Sequence, residues 1–299
     1  MAVIIITVLL ALLYILWDIY RFIFRRNPSR LMTALFDKKG HAEDYYIRRD
    51  KAAEELRSCP RERWEISSDR GEKLCGFYYP CGEGRSSKLA FLVHGYRTDH
   101  SEAAGMFREI YHSRGFDIFS PDNTCSGESG GKSIGYDVFE SADCLKWLGF
   151  LQEKLGGNVE IVLHGFSLGG ATVMKMSDRL PACVKFVVED SGFVDVREIL
   201  KPQTGPLFPI LAGMHRLFAG CDLNDSSVFV SLSKTDKPFL FVHGEQDKKV
   251  PFSMAPRAFE ACPGDRDFLF TPGIKHIETS HYNREAYEEK LDAFIEKYM

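Results

Sequence analysis

The sequence lacks several features that mark common functional classes. It has no C-x-x-C pair among its eight cysteines, which argues against a zinc ribbon or a thioredoxin-like centre. It shows no internal repeat and no low-complexity tract, which argues against a solenoid or a disordered chain. Its formal net charge is only −4 over 299 residues, and this balance gives no reason to expect nucleic acid as a partner. The length is sufficient for one large domain with its own core.

The first 17 residues lack charged side chains altogether. A further apolar stretch, interrupted by Asp18 and Arg21, extends to Phe24 and brings the run to the length of a membrane span. No basic segment precedes the run and no small-residue cleavage site follows it, which argues against a cleaved signal peptide. We predict a transmembrane anchor over residues 1–24, with a buried core helix as the alternative.

Basic residues follow the apolar run and none precedes it. They are Arg21, Arg25, Arg26 and Arg30. The positive-inside rule then predicts a single-pass protein of the cell membrane with its main domain in the cytoplasm. Two cysteines agree with this, since Cys144 lies in a helix-like run and Cys183 in an apolar strand-like run. Partly buried free thiols are typical of a reducing compartment.

The rest of the chain divides into a connector and one large domain. Residues 25–60 are polar and helix-prone, and residues 61–299 form the predicted domain. There, short apolar runs such as KLAFLVHG (88–95) alternate with helix-like segments. This alternation predicts an α/β fold, a mostly parallel sheet with helices on both faces. Residues 191–237 are too long for a plain helical connection, and we predict an inserted helical lid there.

The pattern G-x-S-x-G occurs twice, around Ser129 and around Ser167. A nucleophilic serine needs a strained strand-to-helix turn with glycines on either side. Ser167 meets this demand, because it directly follows the strand EIVLHG and directly precedes the helix LGGATVMKM. Ser129 follows its strand by several residues and precedes no helix, so GESGGKS is interpreted as a flexible turn. Ser167 is therefore the predicted nucleophile.

A serine needs a base to remove its proton and an acid to orient that base. Asp247 closes the strand FLFVHGEQD and is the predicted acid, although it could instead cap the helix that begins near residue 251. The other candidates for the acid follow the preceding strand: they are Glu189, Asp190 and Asp195.

Two histidines, His276 and His281, follow the last predicted strand, and either could be the base. Three more precede a glycine at a strand end, where packing or hydrogen bonding of loops is the expected role: His94, His164 and His243. The remaining histidines lie in the connector, in the first strand–helix segments and in the predicted lid: they are His41, His100, His112 and His215.

From about Trp64 to the C-terminus, the chain resembles the α/β-hydrolase superfamily. It looks most similar to bacterial serine hydrolases related to cinnamoyl esterases and to the serine aminopeptidase-like group. The motifs that carry the resemblance are LVHGY (92–96), GESGGKSIGYD (127–137), LHGFSLGGATVM (163–174), VHGEQDKKVP (242–251) and KHIETSHYNREAYEEKLDAFI (275–295).

The resemblance implies roles for particular residues. It assigns the base to His276 and a family tyrosine on the final helix to Tyr287. It assigns the oxyanion hole to the backbone N–H groups of Tyr96 and Leu168, and such donors are worth about 3–4 kcal/mol each. The chain departs from the family pattern in the loop 122–129, where Thr124, Cys125 and Ser126 replace residues typical of relatives. Because of this departure, the resemblance implies less about the substrate, but the residues that it assigns to the triad stay the same.

The expected activity is hydrolysis of an acyl ester through an acyl-enzyme, with no metal and no organic cofactor. A haloalkane dehalogenase or epoxide hydrolase would carry Asp in place of Ser167. A thioesterase that removes lipids from proteins and an aminopeptidase-like enzyme stay open, as does a non-catalytic binding scaffold. The expected partners are a small-molecule or lipid-like acyl substrate and the membrane, with no nucleic acid.

Apolar side chains in the predicted lid could line an acyl channel, or could simply pack against the core. They are Phe208, Leu211, Met214, Leu217 and Phe218.

Overall fold

The structure is a computed structural model that describes residues 1–27 and 43–299. Within these residues the centre of the fold is an eight-stranded sheet. The strands are β1 (Glu62–Ser67), β2 (Lys73–Tyr79), β3 (Lys88–Val93), β4 (Asp117–Pro121), β5 (Glu160–Phe166), β6 (Val184–Asp190), β7 (Phe239–Gly244) and β8 (Arg266–Thr271). Their order across the sheet is β1-β2-β4-β3-β5-β6-β7-β8. Strand β2 is antiparallel to both of its neighbours, and all other pairs are parallel. The predicted mostly parallel sheet is confirmed.

Helices follow the strands and cover the sheet. They are α1 (Ala2–Phe24), α2 (Glu43–Ser58), α3 (His100–His112), α4 (Val138–Leu155), α5 (Leu168–Lys175), α6 (Val196–Thr204), α7 (Phe208–Ala219), α8 (Phe229–Leu232), α9 (Met254–Ala261), α10 (Thr279–Tyr282) and α11 (Arg284–Tyr298).

Strand β3 shows how the core is divided between the two faces of the sheet. Leu89, Phe91 and Val93 join the core cluster that contains side chains of α1, α4, α5, α7 and α9. Ala90 and Leu92 join the cluster on the other face, with α2, α3 and α11. Successive side chains of a strand point to opposite faces, so a continuous apolar run is buried on both sides. This packing brings the carboxyl ends of the parallel strands to one edge, where the loops carrying the site emerge.

The segment between β6 and β7, which includes the predicted lid at residues 191–237, contains helices α6, α7 and α8. Its apolar residues divide between two environments. Phe208 and Leu211 are buried in the core, whereas Leu217 and Phe218 on the outer side of α7 are exposed. Core packing therefore explains the apolar character of Phe208 and Leu211, but it does not explain that of Leu217 and Phe218. A lid role for the segment stays a prediction.

The apolar helix α1 changes its environment along its length. Residues 2–15 are exposed, whereas Tyr20 and Phe24 are fully buried against the domain. The ring of Phe218 on α7 lies 5.3 Å from that of Trp17, and His215 stacks on Phe24 at 4.2 Å. Within the described residues, α1 is the one helix long and apolar enough to cross a membrane.

The predicted connector, residues 25–60, contains helix α2. Residues 28–42, including Arg30 and His41, lie outside the described part of the chain. All eight cysteines lie within the described part, and each is an unpaired thiol.

Candidate active site

Ser167 stands between the end of β5 and the start of α5 with a backbone φ of 55° and ψ of −113°. A non-glycine residue rarely adopts a positive φ, and holding one there costs on the order of 1–3 kcal/mol. The glycines on either side make the turn possible. A Cβ on Gly165 would overlap the carbonyl of Gly169, and a Cβ on Gly169 would overlap the carbonyl of Val93. The predicted strand–turn–helix context of Ser167 is therefore present.

Asp247 and His276 come from two separate loops and meet Ser167 at the carboxyl edge of the sheet. The Nε2 atom of His276 is 2.8 Å from Ser167 Oγ, and its Nδ1 atom is 2.6 Å from Asp247 Oδ2. A serine hydroxyl donates, so Nε2 accepts its proton and Nδ1–H donates to the carboxylate. The backbone N–H groups of Lys249 and Val250 donate to the second oxygen of Asp247 at 2.8 and 2.9 Å. The three side chains thus form one hydrogen-bonded chain.

The charges of this chain are set by burial and by one another. Burial alone would raise the pKa of Asp247, but His276 and His243 hold that pKa below its usual value. Burial lowers the pKa of His276, and Asp247 opposes this shift only in part. At neutral pH the geometry therefore pairs an ionised carboxylate with a neutral imidazole that can accept a proton.

Sequence reasoning assigned His243 to packing or hydrogen bonding of loops and did not find its contact with Asp247, the predicted acid. The Nε2 atom of His243 lies 3.3 Å from Asp247 Oδ2 and 3.1 Å from the carbonyl oxygen of Val250. The histidine is fully buried, and although burial lowers its pKa, Asp247 and Glu189 raise that pKa above the usual value. The signal available in the sequence was the spacing in HGEQD, where His243 precedes Asp247 by four residues. The turn between them folds the chain back and brings the two side chains together.

The predicted oxyanion donors lie on both sides of the elbow. Leu168 is the first residue of α5, and an N–H in a first helical turn has no intrahelical partner. Tyr96 follows Gly95, where a Cβ would lie 3.4 Å from the Cβ of Ser167. Gly95, Tyr96 and Arg97 form the predicted oxyanion loop, which we call the oxyanion loop, and Arg97 has a φ of 57°.

The alternative acids contact other partners. Asp195 caps α6 by accepting from the N–H of Arg197 at 2.8 Å. Glu189 accepts from the N–H of Gly192, and burial raises its pKa to about 8. Asp190 accepts from Tyr287 Oη at 3.1 Å, and burial raises its pKa to about 6.

Asp190 belongs to a buried network that sequence reasoning did not find. Tyr287 Oη lies 2.9 Å from His164 Nε2, and Tyr111 Oη lies 2.9 Å from His164 Nδ1. At the other end, Ser191 Oγ donates to Asp190 at 2.9 Å and accepts from the N–H of Ile277 at 3.3 Å. The network therefore reaches the residue directly after His276. Its members come from α3, β5, β6 and α11, so no local pattern could reveal it.

The other sequence candidates lie elsewhere. Ser129 is buried, its hydroxyl donating to the carbonyl of Asp122 at 2.6 Å and accepting from the N–H of Cys75 at 2.8 Å. The turn is thus fixed rather than flexible, because the Ser129 hydroxyl both donates and accepts a hydrogen bond. The bond from the N–H of Cys75 connects the turn to β2. His281 contacts Asp44 at 3.2 Å and Arg48 at 3.1 Å, away from the elbow.

A cavity of about 370 Å³ lies beside the oxyanion loop rather than over the triad. Its lining contains Arg25, Arg26 and Arg97, together with Asp99 and Glu102. Three arginines face two acids there, and burial raises the pKa of Glu102 to about 7, so the lining carries a net positive charge at neutral pH.

Comparison with known proteins agrees with this architecture. A family model described as the prolyl oligopeptidase family matches residues 109–299. The uncharacterized protein YqkD of Bacillus subtilis is 24% identical over 199 residues, which cover 64% of this chain and 65% of that protein. The chain thus matches just under two thirds of the length of that relative. The human alpha/beta hydrolase domain-containing protein 17B is 22% identical over 229 residues, covering 76% of this chain and 73% of that protein.

Solved structures share the fold at low sequence identity. The esterase Pf2001 of Pyrococcus furiosus superposes with a TM-score of 0.67 at 18% identity, covering 82% of this chain and 95% of that one. Est1E of Butyrivibrio proteoclasticus, solved with bound ferulic acid, superposes with a TM-score of 0.61 at 19% identity, covering 79% and 98%. The family match spans more than half of the chain and includes the elbow and the loops of Asp247 and His276. The chain therefore belongs to the prolyl oligopeptidase family, and it has the α/β-hydrolase fold.

Proposed function

We propose that the protein is a serine hydrolase that cleaves a carboxylic ester or thioester through an acyl-enzyme. One observation carries the proposal, the hydrogen-bonded chain from Ser167 through His276 to Asp247 on a strained elbow. Three residue types in this geometry supply a nucleophile, a base and an orienting acid. No metal or organic cofactor takes part in the proposed steps.

The reaction proceeds in two halves. His276 Nε2 takes the proton of Ser167 as Oγ bonds to the acyl carbon, and the imidazolium then gives that proton to the departing alcohol or thiol. In the second half His276 takes a proton from water, and the hydroxide oxygen bonds to the acyl carbon. The bond to Ser167 Oγ breaks, and the proton returns to the serine. Asp247 stays ionised throughout and stabilises the imidazolium.

Each half passes through a tetrahedral intermediate with a negative oxygen. The N–H groups of Tyr96 and Leu168 are the proposed donors to that oxygen, and the N-terminal end of α5 favours the same charge. Loss of one such donor in a serine hydrolase costs about 10²–10³ in kcat.

The protein is proposed to act at the cell membrane, with α1 as a single-pass anchor and the catalytic domain in the cytoplasm. The exposed apolar residues 2–15 support a lipid environment, and the basic residues after α1 and the unpaired cysteines support the cytoplasmic side. Ile210, Leu217 and Phe218 are 50%, 76% and 50% exposed on α7, and the ring of Phe218 lies 5.3 Å from that of Trp17 on α1. This outer face of α7 is proposed to rest on the bilayer surface, which places a lipid-borne acyl substrate within reach.

Amide hydrolysis is the second candidate, because the matching family takes its name from oligopeptidases. A protein depalmitoylase-like thioesterase is a narrower form of the first proposal. A non-catalytic scaffold is the alternative from another class. The presence of Ser167, His276 and Asp247 in bonding distance counts against it, since loss of any of them would remove the chemistry.

The test is labelling of the full chain, solubilised in mild detergent, with a fluorophosphonate probe. Wild type, Ser167→Ala and Ser129→Ala are compared, and hydrolysis of ester, thioester and peptide-amide substrates is measured alongside. We expect Ser167→Ala to abolish both labelling and turnover, and Ser129→Ala, if folded, to keep both. A folded wild type that takes no label would make the scaffold interpretation the better one. A higher kcat/KM for the amide than for the esters would favour the peptidase.

A further inference from the structure

We infer that the end of helix α1 is part of the catalytic apparatus, because it holds the oxyanion loop through the side chain of Tyr96. The inference rests on the proposed function, since it concerns the donor that Tyr96 supplies to the oxyanion. It makes the Tyr96 side chain a positioning group and α1 more than an attachment to the membrane.

Two residues of the oxyanion loop bind the last turn of α1 directly. Tyr96 Oη donates to the carbonyl oxygen of Ile23 at 2.8 Å and to that of Phe22 at 3.3 Å. The guanidinium of Arg97 also donates to the carbonyl of Phe22 and lies 5.0 Å from the centre of the Phe22 ring. The loop that flanks the elbow is thus bonded to main-chain atoms of the helix.

These carbonyls are available because they lie at a helix end, where the last four C=O groups have no intrahelical partner. The carbonyl of Ile23 also accepts from Tyr136 Oη at 3.0 Å, and that of Phe24 accepts from the N–H of Ile134 at 2.9 Å. The negative end of the helix dipole further favours the cation of Arg97. Three successive carbonyls of α1 therefore find their donors on two loops of the domain.

The contact with α1 holds the residue that supplies the proposed oxyanion donor. The N–H proposed to bind the oxyanion and the hydroxyl bonded to α1 belong to the same residue, Tyr96. The Tyr96 ring is also stacked on that of Tyr136 at 5.7 Å. Released from Ile23, the loop could shift, and a shift of about 1 Å in a group that positions the reaction can cost 10²-fold. Because an oxyanion donor acts in the transition state, such a shift lowers kcat and leaves KM nearly unchanged.

Tyr136 provides a matched control. Tyr96→Phe and Tyr136→Phe each remove one phenolic hydroxyl that donates to the same carbonyl, that of Ile23. The two hydroxyls also interact with each other, and both variants lose that contact equally. Both variants keep the ring packing and the backbone N–H. Only Tyr96 belongs to the oxyanion loop, so a purely structural role of the Ile23 contact predicts equal effects of the two substitutions.

The experiment uses the full chain in lipid nanodiscs. It measures kcat and KM for a p-nitrophenyl ester, the inhibition constant of a trifluoromethyl ketone that forms a tetrahedral adduct with Ser167, and the melting temperature. For Tyr96→Phe we expect kcat to fall about tenfold, the inhibition constant to rise by a similar factor and KM to stay within about twofold. For Tyr136→Phe we expect kcat within about twofold of wild type. We expect the melting temperature to change by a similar amount in the two variants.

Two results would overturn the inference. One is a Tyr96→Phe variant with wild-type kcat, and the other is an equal fall in kcat for both variants. Ser167→Ala separates this failure from a failure of the proposed function. If Ser167→Ala abolishes turnover while Tyr96→Phe leaves it intact, the hydrolase proposal stands and the role of α1 is refuted. If Ser167→Ala retains turnover, the proposed function fails, and the inference fails with it.

Discussion

At the scale of single residues, the protonation state of His276, the proposed base, sets the expected pH range of activity. The base must be neutral to accept the proton of Ser167. Burial lowers the pKa of His276 from its usual 6.5, and Asp247 opposes this shift only in part. Activity should therefore be full above that lowered pKa and should be lost as the pH falls through it.

We predict that kcat/KM plotted against pH has an acidic limb with its midpoint below 6.5, the usual pKa of histidine. His281→Gln is the control, because His281 contacts Asp44 and Arg48 rather than the triad. Its profile should coincide with that of wild type. A midpoint at or above 6.5 would mean that the attraction of Asp247 outweighs the burial of His276.

The identity of the triad residues was predictable, and their surroundings were less so. Ser167, Asp247 and His276 each follow a strand that the apolar runs already indicated. Strand ends favoured Ser167 and Asp247 over their alternatives, whereas the choice of His276 over His281 came from the resemblance to the α/β-hydrolase superfamily. The contact of His243 with Asp247 depends on the shape of one turn. The Asp190–Tyr287 network depends on the relative placement of four elements, and hydrophobic patterns do not encode such placement.

At the scale of elements, α7 is apolar on its inner and its outer face. Its inner face buries Phe208 and Leu211, and its outer face exposes Leu217 and Phe218. A helix that is apolar on opposite sides needs a second apolar environment. The proposed environment is the bilayer surface beside α1.

We predict that the bilayer shields residue 217 in lipid nanodiscs. Leu217→Cys and Val230→Cys are matched, because the native side chains are 76% and 62% exposed in the protein alone. A polar maleimide should modify residue 217 about tenfold more slowly than residue 230, since an interfacial face is buried among headgroups and acyl chains. Site-resolved mass spectrometry separates these sites from the native cysteines. Equal rates at the two positions would place α7 away from the membrane.

The periodicity of the sequence predicted whether most elements are helices or strands, but it did not predict which elements contact each other. Residues 1–24 were predicted as a transmembrane anchor and residues 191–237 as an inserted lid, with no contact predicted between them. In the structure, Trp17 and Tyr20 of α1 pack on Phe218 of α7. This pairing joins aromatic residues about 200 positions apart, and nothing in either local pattern specifies the other.

At the scale of the whole molecule, the first part of α1 is exposed and its last part is buried against the domain. Two truncations can test these parts separately. Deletion of residues 2–15 removes side chains that are exposed in the protein. Deletion of residues 2–26 also removes Tyr20 and Phe24, which are 0% and 1% exposed in the core.

We predict that the shorter deletion abolishes membrane binding and leaves the melting temperature within a few degrees of wild type. The longer deletion should cost several kcal/mol, since loss of one buried aromatic side chain costs about 3–5 kcal/mol. For a domain of this size that corresponds to a fall in melting temperature on the order of 10 °C or more. Thermal unfolding of both truncations in the same detergent is the measurement. Equal melting temperatures would show that the domain does not need the end of α1.

The attachment of α1 to the domain also sets an order of events during synthesis. The proposed anchor is made first, but the donors to the carbonyl of Ile23 lie 73 and 113 residues further along the chain. His276 is made later still, close to the C-terminus. Chains are synthesised at about 5–20 residues per second, so the proposed anchor can enter the bilayer seconds before Ser167, Asp247 and His276 are all present. On the proposed function, activity would then arise only after insertion.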